Sequence, residues 1–222
     1  ISAKNFYYNK LTNILETFGN VKYFDKTKNI VITADKAIYL KNEEKVFTTG
    51  NSKAINENNT ITASSLEYDK KNNIFKAKKD AIVNDSKKDT TIYADEITYF
   101  KNEEKVFTEG ATEALIEKKY KFNSENVSYF RNIGDLFSYE KSSLEDDNGN
   151  IYKLESFSYN INEKVLKGTK VEVLTKIDEN KIDQYFFSEG FFNFKDKSHI
   201  AKETKINSHK DIFNDNENDP RL

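Results

Sequence analysis

The chain of 222 residues has no cysteine, no methionine, no tryptophan and one proline. Without cysteine there is no disulfide, no thiolate metal site and no cysteine nucleophile, and either redox compartment is open to the protein. No run approaches the eighteen or so apolar residues of a membrane-spanning helix, and the N-terminus lacks the basic, apolar, small-residue order of a signal peptide. A formal charge of -2 leaves no basic footprint, which argues against nucleic acid as a partner. Glycine is scarce at seven residues, and only 36% of the chain is hydrophobic, low for an enzyme of this size. Aromatic residues nevertheless make up 14%, too rich for a disordered chain, so the apolar surface is concentrated at a few positions.

Those positions repeat. Ile92–Gly110, IYADEITYFKNEEKVFTEG, nearly duplicates Ile32–Gly50, ITADKAIYLKNEEKVFTTG. One frame fits Ala3/Tyr8, Ala34/Tyr39, Ala63/Tyr68, Ala94/Tyr99, Ser124/Tyr129 and Leu154/Tyr159, the small residue recurring every 29–31 positions over the first five. A degenerate seventh copy lies at Ser188/Asn193. A period of this length marks stacked supersecondary units, none of which can bury its apolar face alone. The expected organisation is one elongated domain over 1–210, with 211–222 as a linker toward a further region, the chain itself being an excised piece of a longer protein.

Ile, Val, Thr, Tyr and Phe at the periodic positions favour strands, about two per repeat. Ile92 and Ala94 share one parity, while Ile97 and Tyr99 share the other. To keep all four on one face the strand needs an extra residue near Asp95–Glu96, a bulge or corner, and the same switch predicts bends near Lys36 and Ser65. Polar turns such as Lys41–Glu44, Lys70–Asn73, Lys101–Glu104 and Arg131–Gly134 close one end of each hairpin. The expected fold is all-β: an antiparallel β-jellyroll or V-shaped open sandwich, each repeat crossing between two sheets. Seven such layers would make a trough of roughly 30 Å.

The inward set on this reading is Ile32, Ala34, Tyr39, Ile61, Ala63, Tyr68, Ile92, Ala94, Tyr99, Phe122, Tyr129, Leu154 and Tyr159. Phe47, Phe75, Phe107, Phe137 and Leu166 would face them from the second strands. Periodicity alone favours a filled core. The small Ala or Ser within each first strand points instead to room along a trough. No catalytic constellation stands out. His199 and His209 lie in the degenerate end without a repeated polar partner and read as surface histidines, the Asp146–Asn150 run reads as a hairpin turn rather than a calcium loop, and the Lys/Glu turns read as solvated tips. No metal site or cofactor is expected.

The frame apolar-x-Ala-Asp-x-apolar-x-Tyr, carried by Ile32–Tyr39, Ile61–Tyr68 and Ile92–Tyr99 with Leu15–Val21 as a second-strand part, resembles the OstA/LptA-like repeat of the lipopolysaccharide-transport proteins. The resemblance covers roughly residues 1–206. It implies a periplasmic jellyroll whose trough shields lipid A acyl chains. Burying a dozen methylenes is worth on the order of 10 kcal/mol, so such a lipid needs shielding in water. The ending Asn218–Leu222 is similar to the segment that follows the N-terminal domain in the LptD branch, part of an outer-membrane protein. That implies an outer-membrane barrel and an LptE-like lipoprotein plug as neighbours; LptD members often carry cysteine in this domain, and this chain has none. A stand-alone bridge of the LptA/LptC type and a solid structural β-repeat such as an adhesin or stalk are the alternatives. The regular N-terminal repeat, with Ala3, Phe6, Tyr8, Leu15 and Val21, is the expected edge for pairing with an LptA-like jellyroll.

Overall fold

In the computed structural model the described residues are 1–176 and 181–209. The predicted linker 211–222 lies outside them. Apart from a single 3-10 turn at Lys101–Glu103, the regular structure of the described chain is strand: β1 (Asn5–Asn9), β2 (Ile14–Asp25), β3 (Ile30–Leu40), β4 (Lys45–Asn56), β5 (Asn59–Asp69), β6 (Ile74–Asp85), β7 (Thr90–Phe100), β8 (Lys105–Ile116), β9 (Tyr120–Glu125), β10 (Ser128–Phe130), β11 (Asp135–Ser138), β12 (Ser142–Glu145), β13 (Ile151–Leu154), β14 (Ser156–Asn160), β15 (Val165–Lys176), β16 (Ile182–Asn193), β17 (Ser198–Lys202) and β18 (Lys205–Asn207). All pairings are antiparallel, mostly between consecutive strands. β9 and β10 divide one rung between them, pairing with the two halves of β8. β11/β12, β13/β14 and β17/β18 are broken rungs of the same kind.

The eighteen strands therefore form fourteen rungs, and each rung crosses both sheets. At about 4.8 Å per rung the stack is about 60 Å long, twice the expected length, because each repeat supplies two rungs rather than one layer.

Every rung bends near its middle. In β3, β5 and β7 the register shifts between Thr33 and Lys36, Thr62 and Ser65, and Ala94 and Glu96, as the parity switch predicts. The alternate rungs bend as well, and they keep their parity. β2 turns through Gly19 (φ 76) and Asn20 (φ 50), β4 through Gly50 (φ 74) and Asn51 (φ 47), β6 through Lys79 (φ 63) and Asp80 (φ 53). Two successive left-handed residues turn the strand without inverting which side chains face in. Gly, Asn and Asp tolerate that region best, which accounts for the Gly-Asn pairs.

Backbone groups freed at the bend are taken up by buried hydroxyls. Thr48 Oγ1 accepts from Leu66 N at 3.2 Å and donates to Ser52 Oγ at 2.9 Å. One repeat pair later, Thr108 Oγ1 accepts from Val127 N at 2.8 Å and meets Thr112 Oγ1 at 2.7 Å. The hydroxyls line the apex of the V, so its closed side is a satisfied polar seam.

At the opposite end of each first-sheet hairpin the tip turns stack. Lys41, Lys70, Lys101 and Arg131 each donate a backbone N–H to the carbonyl of a left-handed residue in the preceding tip turn, Asn13, Glu44, Asn73 and Glu104, at 2.9–3.2 Å. The same basic position thus recurs along one line.

Candidate functional site

The space between the sheets is lined, on the first sheet, by one unbroken cross-strand row: Tyr8, Leu15, Tyr39, Val46, Tyr68, Phe75, Tyr99, Val106, Tyr129, Leu136, Tyr159, Leu166, Phe192 and His199. Tyrosines come from the first strand of each repeat and mostly aliphatic residues from the second. On the facing sheet Tyr23, Ile32, Ala54, Ile61, Val83, Ile92, Ala114, Phe122, Leu144 and Tyr152 form the matching row. From Tyr39 to Phe192 on the first sheet and Tyr23 to Tyr152 on the second they make one continuous apolar cluster, with Tyr8 and His199 exposed at the two ends of the row.

Of the residues expected inside, Ile32, Ala34, Ile61, Ala63, Tyr68, Ile92, Tyr99, Phe122, Tyr129, Leu154, Tyr159, Phe75 and Leu166 are buried there, and Tyr39 and Ala94 are partly buried against them. Phe47, Phe107 and Phe137 are placed on the outer face instead. Each follows a buried aliphatic residue, Val46, Val106 or Leu136, and it is this neighbour that shares the inward row. The four-residue tip turn Lys41–Glu44 sets this register: it pairs Leu40 with Lys45 and therefore Tyr39 with Val46. Both members of each pair are apolar, so hydropathy gives no choice between them.

The small column Ala34, Ala63, Ala94 and Ser124 lies beside the bend, where Ala34 pairs with Val21, Ala63 with Ser52, and Ala94 with Ala81 and Thr112. Small side chains there match the converging sheets. Farther from the bend the interior is filled. The cavity bounded by Ile30, Ala54 and Ile61 on one sheet and Phe75 and Tyr99 on the other has a volume of only about 10 Å³. Tyr68, Phe75 and Tyr99 stack across neighbouring rungs at centroid separations of 4.3 and 6.4 Å.

Burial raises the phenol pKa of Tyr23 to about 12, with Asp25 adding to the effect. It does the same for Tyr99, also to about 12, against the opposing charge of Arg131 and with Glu104 adding. Tyr68, Tyr129, Tyr152 and Tyr159 are pushed up further, again chiefly by desolvation.

The wide side of the V, the mouth, is spanned by side chains. Asp25 Oδ1 accepts from Thr27 N and Lys28 N and caps its own turn, while Lys70 Nζ lies 3.5 Å from Oδ2. Asp85 repeats the device sixty residues later. Its Oδ1 accepts from Lys87 N and Lys88 N, and its Oδ2 accepts from Arg131 Nε at 2.9 Å. Arg131 also donates to Glu104 and, at 3.0 Å, to the Tyr99 hydroxyl. Lys101 Nζ donates to Lys28 O at 3.2 Å, and Lys164 pairs with Glu117 at 2.7 Å. Several of the tips expected to be solvated are therefore engaged across the mouth. The sequence does hold a signal for them in the basic residue two places after Tyr39, Tyr68, Tyr99 and Tyr129.

Asp146 caps the turn that was set against a calcium loop, accepting from Asn148 N and Asn150 N at 2.9 Å and from Tyr152 OH at 3.3 Å. His199 is exposed and stacks on Phe192. His209 is held by Asp183, which accepts from its backbone N–H at 2.9 Å and contacts its Nδ1 at 2.8 Å.

At the N-terminal end, β1 pairs only with β2 among the described residues, and Phe6, Tyr7 and Tyr8 are exposed. Ala3 lies between Ser2, bridged to Lys22, and Lys4, bonded to Gly19 O. The other end is also an edge among the described residues, with Ile200 on β17 and Ile206 on β18 exposed.

No protein-family model matches the chain, and no curated protein matches it. Among solved structures, it is similar to LptH from Pseudomonas aeruginosa, described as the LptA homologous periplasmic component of the lipopolysaccharide transport device. The identity is 13%, the match covers 69% of this chain and 99% of that one, and the TM-score is 0.42.

Proposed function

We propose that the chain is a bridge segment that carries lipid in its interior, of the lipopolysaccharide-transport kind. The observation that carries this reading is the single cross-strand row from Tyr8, on a strand with one unpaired side among the described residues, to Phe192, unbroken over about 60 Å. It is built from the OstA-like frame recognised in the sequence. A lipid passed along a path needs a continuous apolar lining, and the row supplies one. The exposed β1 edge can extend the same row into an LptA-like jellyroll by strand addition. On the finer reading the chain is the periplasmic N-terminal domain of an LptD-type outer-membrane protein, feeding a barrel and its lipoprotein plug; a stand-alone LptA/LptC-type bridge fits these observations equally.

The close packing between the sheets favours a second reading, a solid β-repeat stalk, because the cavity at Ile30, Ala54, Ile61, Phe75 and Tyr99 is too small for an acyl chain. A photo-crosslinking residue in place of Tyr39, inward and half-buried near the open end, separates the two. Incubated with labelled lipopolysaccharide, it should crosslink strongly, while the same residue in place of the outward Phe47 should not. Equal labelling at both, or none at Tyr39, refutes the carrier.

A further inference from the structure

The two long sides of the V are closed by different means. At the bend, continuous backbone and satisfied hydroxyls join the sheets. At the mouth, the polar contacts found among the described residues are side-chain contacts between tip turns: Lys70 with Asp25, Lys101 with the Lys28 carbonyl, Arg131 with Asp85, Lys164 with Glu117, and Lys88 with Asn162; toward the C-terminal end Phe194 adds ring contacts to Tyr120 and Tyr152. Among polar atoms buried near this side, Asn59 Oδ1 and Asn73 Oδ1 lack a hydrogen-bond partner, and Asp25 Oδ2 makes no hydrogen bond and has the Lys70 ammonium at 3.5 Å. Asp25 and Asp85 each spend one oxygen on their own turn, so the other is free to exchange its cation without unmaking the turn.

We infer that the mouth is a gate, and that Lys70 and Arg131, two repeats apart along it, are separate anion-binding cations that each open it locally by moving from Asp25 or Asp85 onto the anionic headgroup of a phosphate-bearing amphiphile. Charge chemistry supports the exchange. A phosphate offers the guanidinium of Arg131 the same bidentate geometry as a carboxylate. The recurrence of a cation every repeat along the tip line places several of them over the apolar row that would receive the chains. Opening about the bend leaves the ladders of both sheets intact, since no strand pair among the described residues crosses the mouth.

The entry of cargo rests on the carrier reading above, but the gate is testable without cargo. The protein has no cysteine, so a single one reports local access. Ala54→Cys places a thiol in the cavity toward the mouth, and Ala77→Cys places one in the row beside the bend; both alanines are buried. Adding Arg131→Gln should speed thiol labelling at position 54 by on the order of tenfold or more, with little change at position 77, and Arg131→Lys should restore part of the protection. Dodecyl phosphate below its micellar concentration should speed labelling at position 54 in the chain that keeps Arg131, and dodecyl maltoside should not.

Equal acceleration at positions 54 and 77 would mean global unfolding and would overturn the gate, as would no acceleration from Arg131→Gln. Indifference to dodecyl phosphate with a working gate would overturn the anion exchange. Labelling as expected, with no lipopolysaccharide crosslink at Tyr39, would leave the gate standing and refute the carrier.

Discussion

Alkali should unfold this protein in one cooperative step near pH 11. The perturbation is the ionisation of phenols that the fold keeps neutral. Six tyrosines, Tyr23, Tyr68, Tyr99, Tyr129, Tyr152 and Tyr159, have pKa values raised to about 12 or beyond by burial. A group whose folded pKa exceeds its unfolded value contributes stability that is fully present below the unfolded pKa and lost as pH rises toward the folded one. With an unfolded phenol pKa near 10, each such tyrosine favours the unfolded chain by about 0.8 kcal/mol at pH 10.5 and about 1.4 kcal/mol at pH 11. Six together give about 5 and then about 8 kcal/mol, within the range of a domain's whole stability. The step in phenolate absorbance from these six of the thirteen tyrosines and the far-ultraviolet circular dichroism, followed on the same sample, should therefore change together over less than one pH unit. If the phenolate signal of all six appears gradually while the strand signal persists beyond about pH 12, the buried state of these rings is wrong.

Tyr68→Phe removes a buried hydroxyl that has no hydrogen-bond partner and keeps its stacking on Phe75, so urea unfolding should show unchanged or increased stability, by up to about 1–2 kcal/mol, and a higher alkaline midpoint. Leu136→Ala should cost about 2–5 kcal/mol and its neighbour Phe137→Ala much less, because the first is fully buried in the inward row and the second lies on the outer face; comparable losses would reverse the facing. At Gly50, φ is 74 and an added Cβ would lie 2.4 Å from Asp35 Oδ2, so Gly50→Ala should lower stability by at least about 1–2 kcal/mol in thermal or urea melts.

Strand content, the thirty-residue period and the bends of β3, β5 and β7 could be read directly from the chain, because side-chain alternation is local and a change of parity leaves a trace in the hydropathy pattern. The bends of β2 and β4 were hidden from that test, since two left-handed residues preserve parity; only Gly19-Asn20 and Gly50-Asn51 betray them. The choice between Val46 and Phe47, or Leu136 and Phe137, belonged to register. Two adjacent apolar residues look alike until a partner strand fixes which one stands beside Tyr39 or Tyr129. The mouth was decided only in three dimensions. Lys70 and Asp25, or Arg131 and Asp85, lie 45 and 46 residues apart in sequence and three rungs apart in the stack. No local pattern joins them; they meet because two sheets folded about a common bend bring the tips of different repeats together.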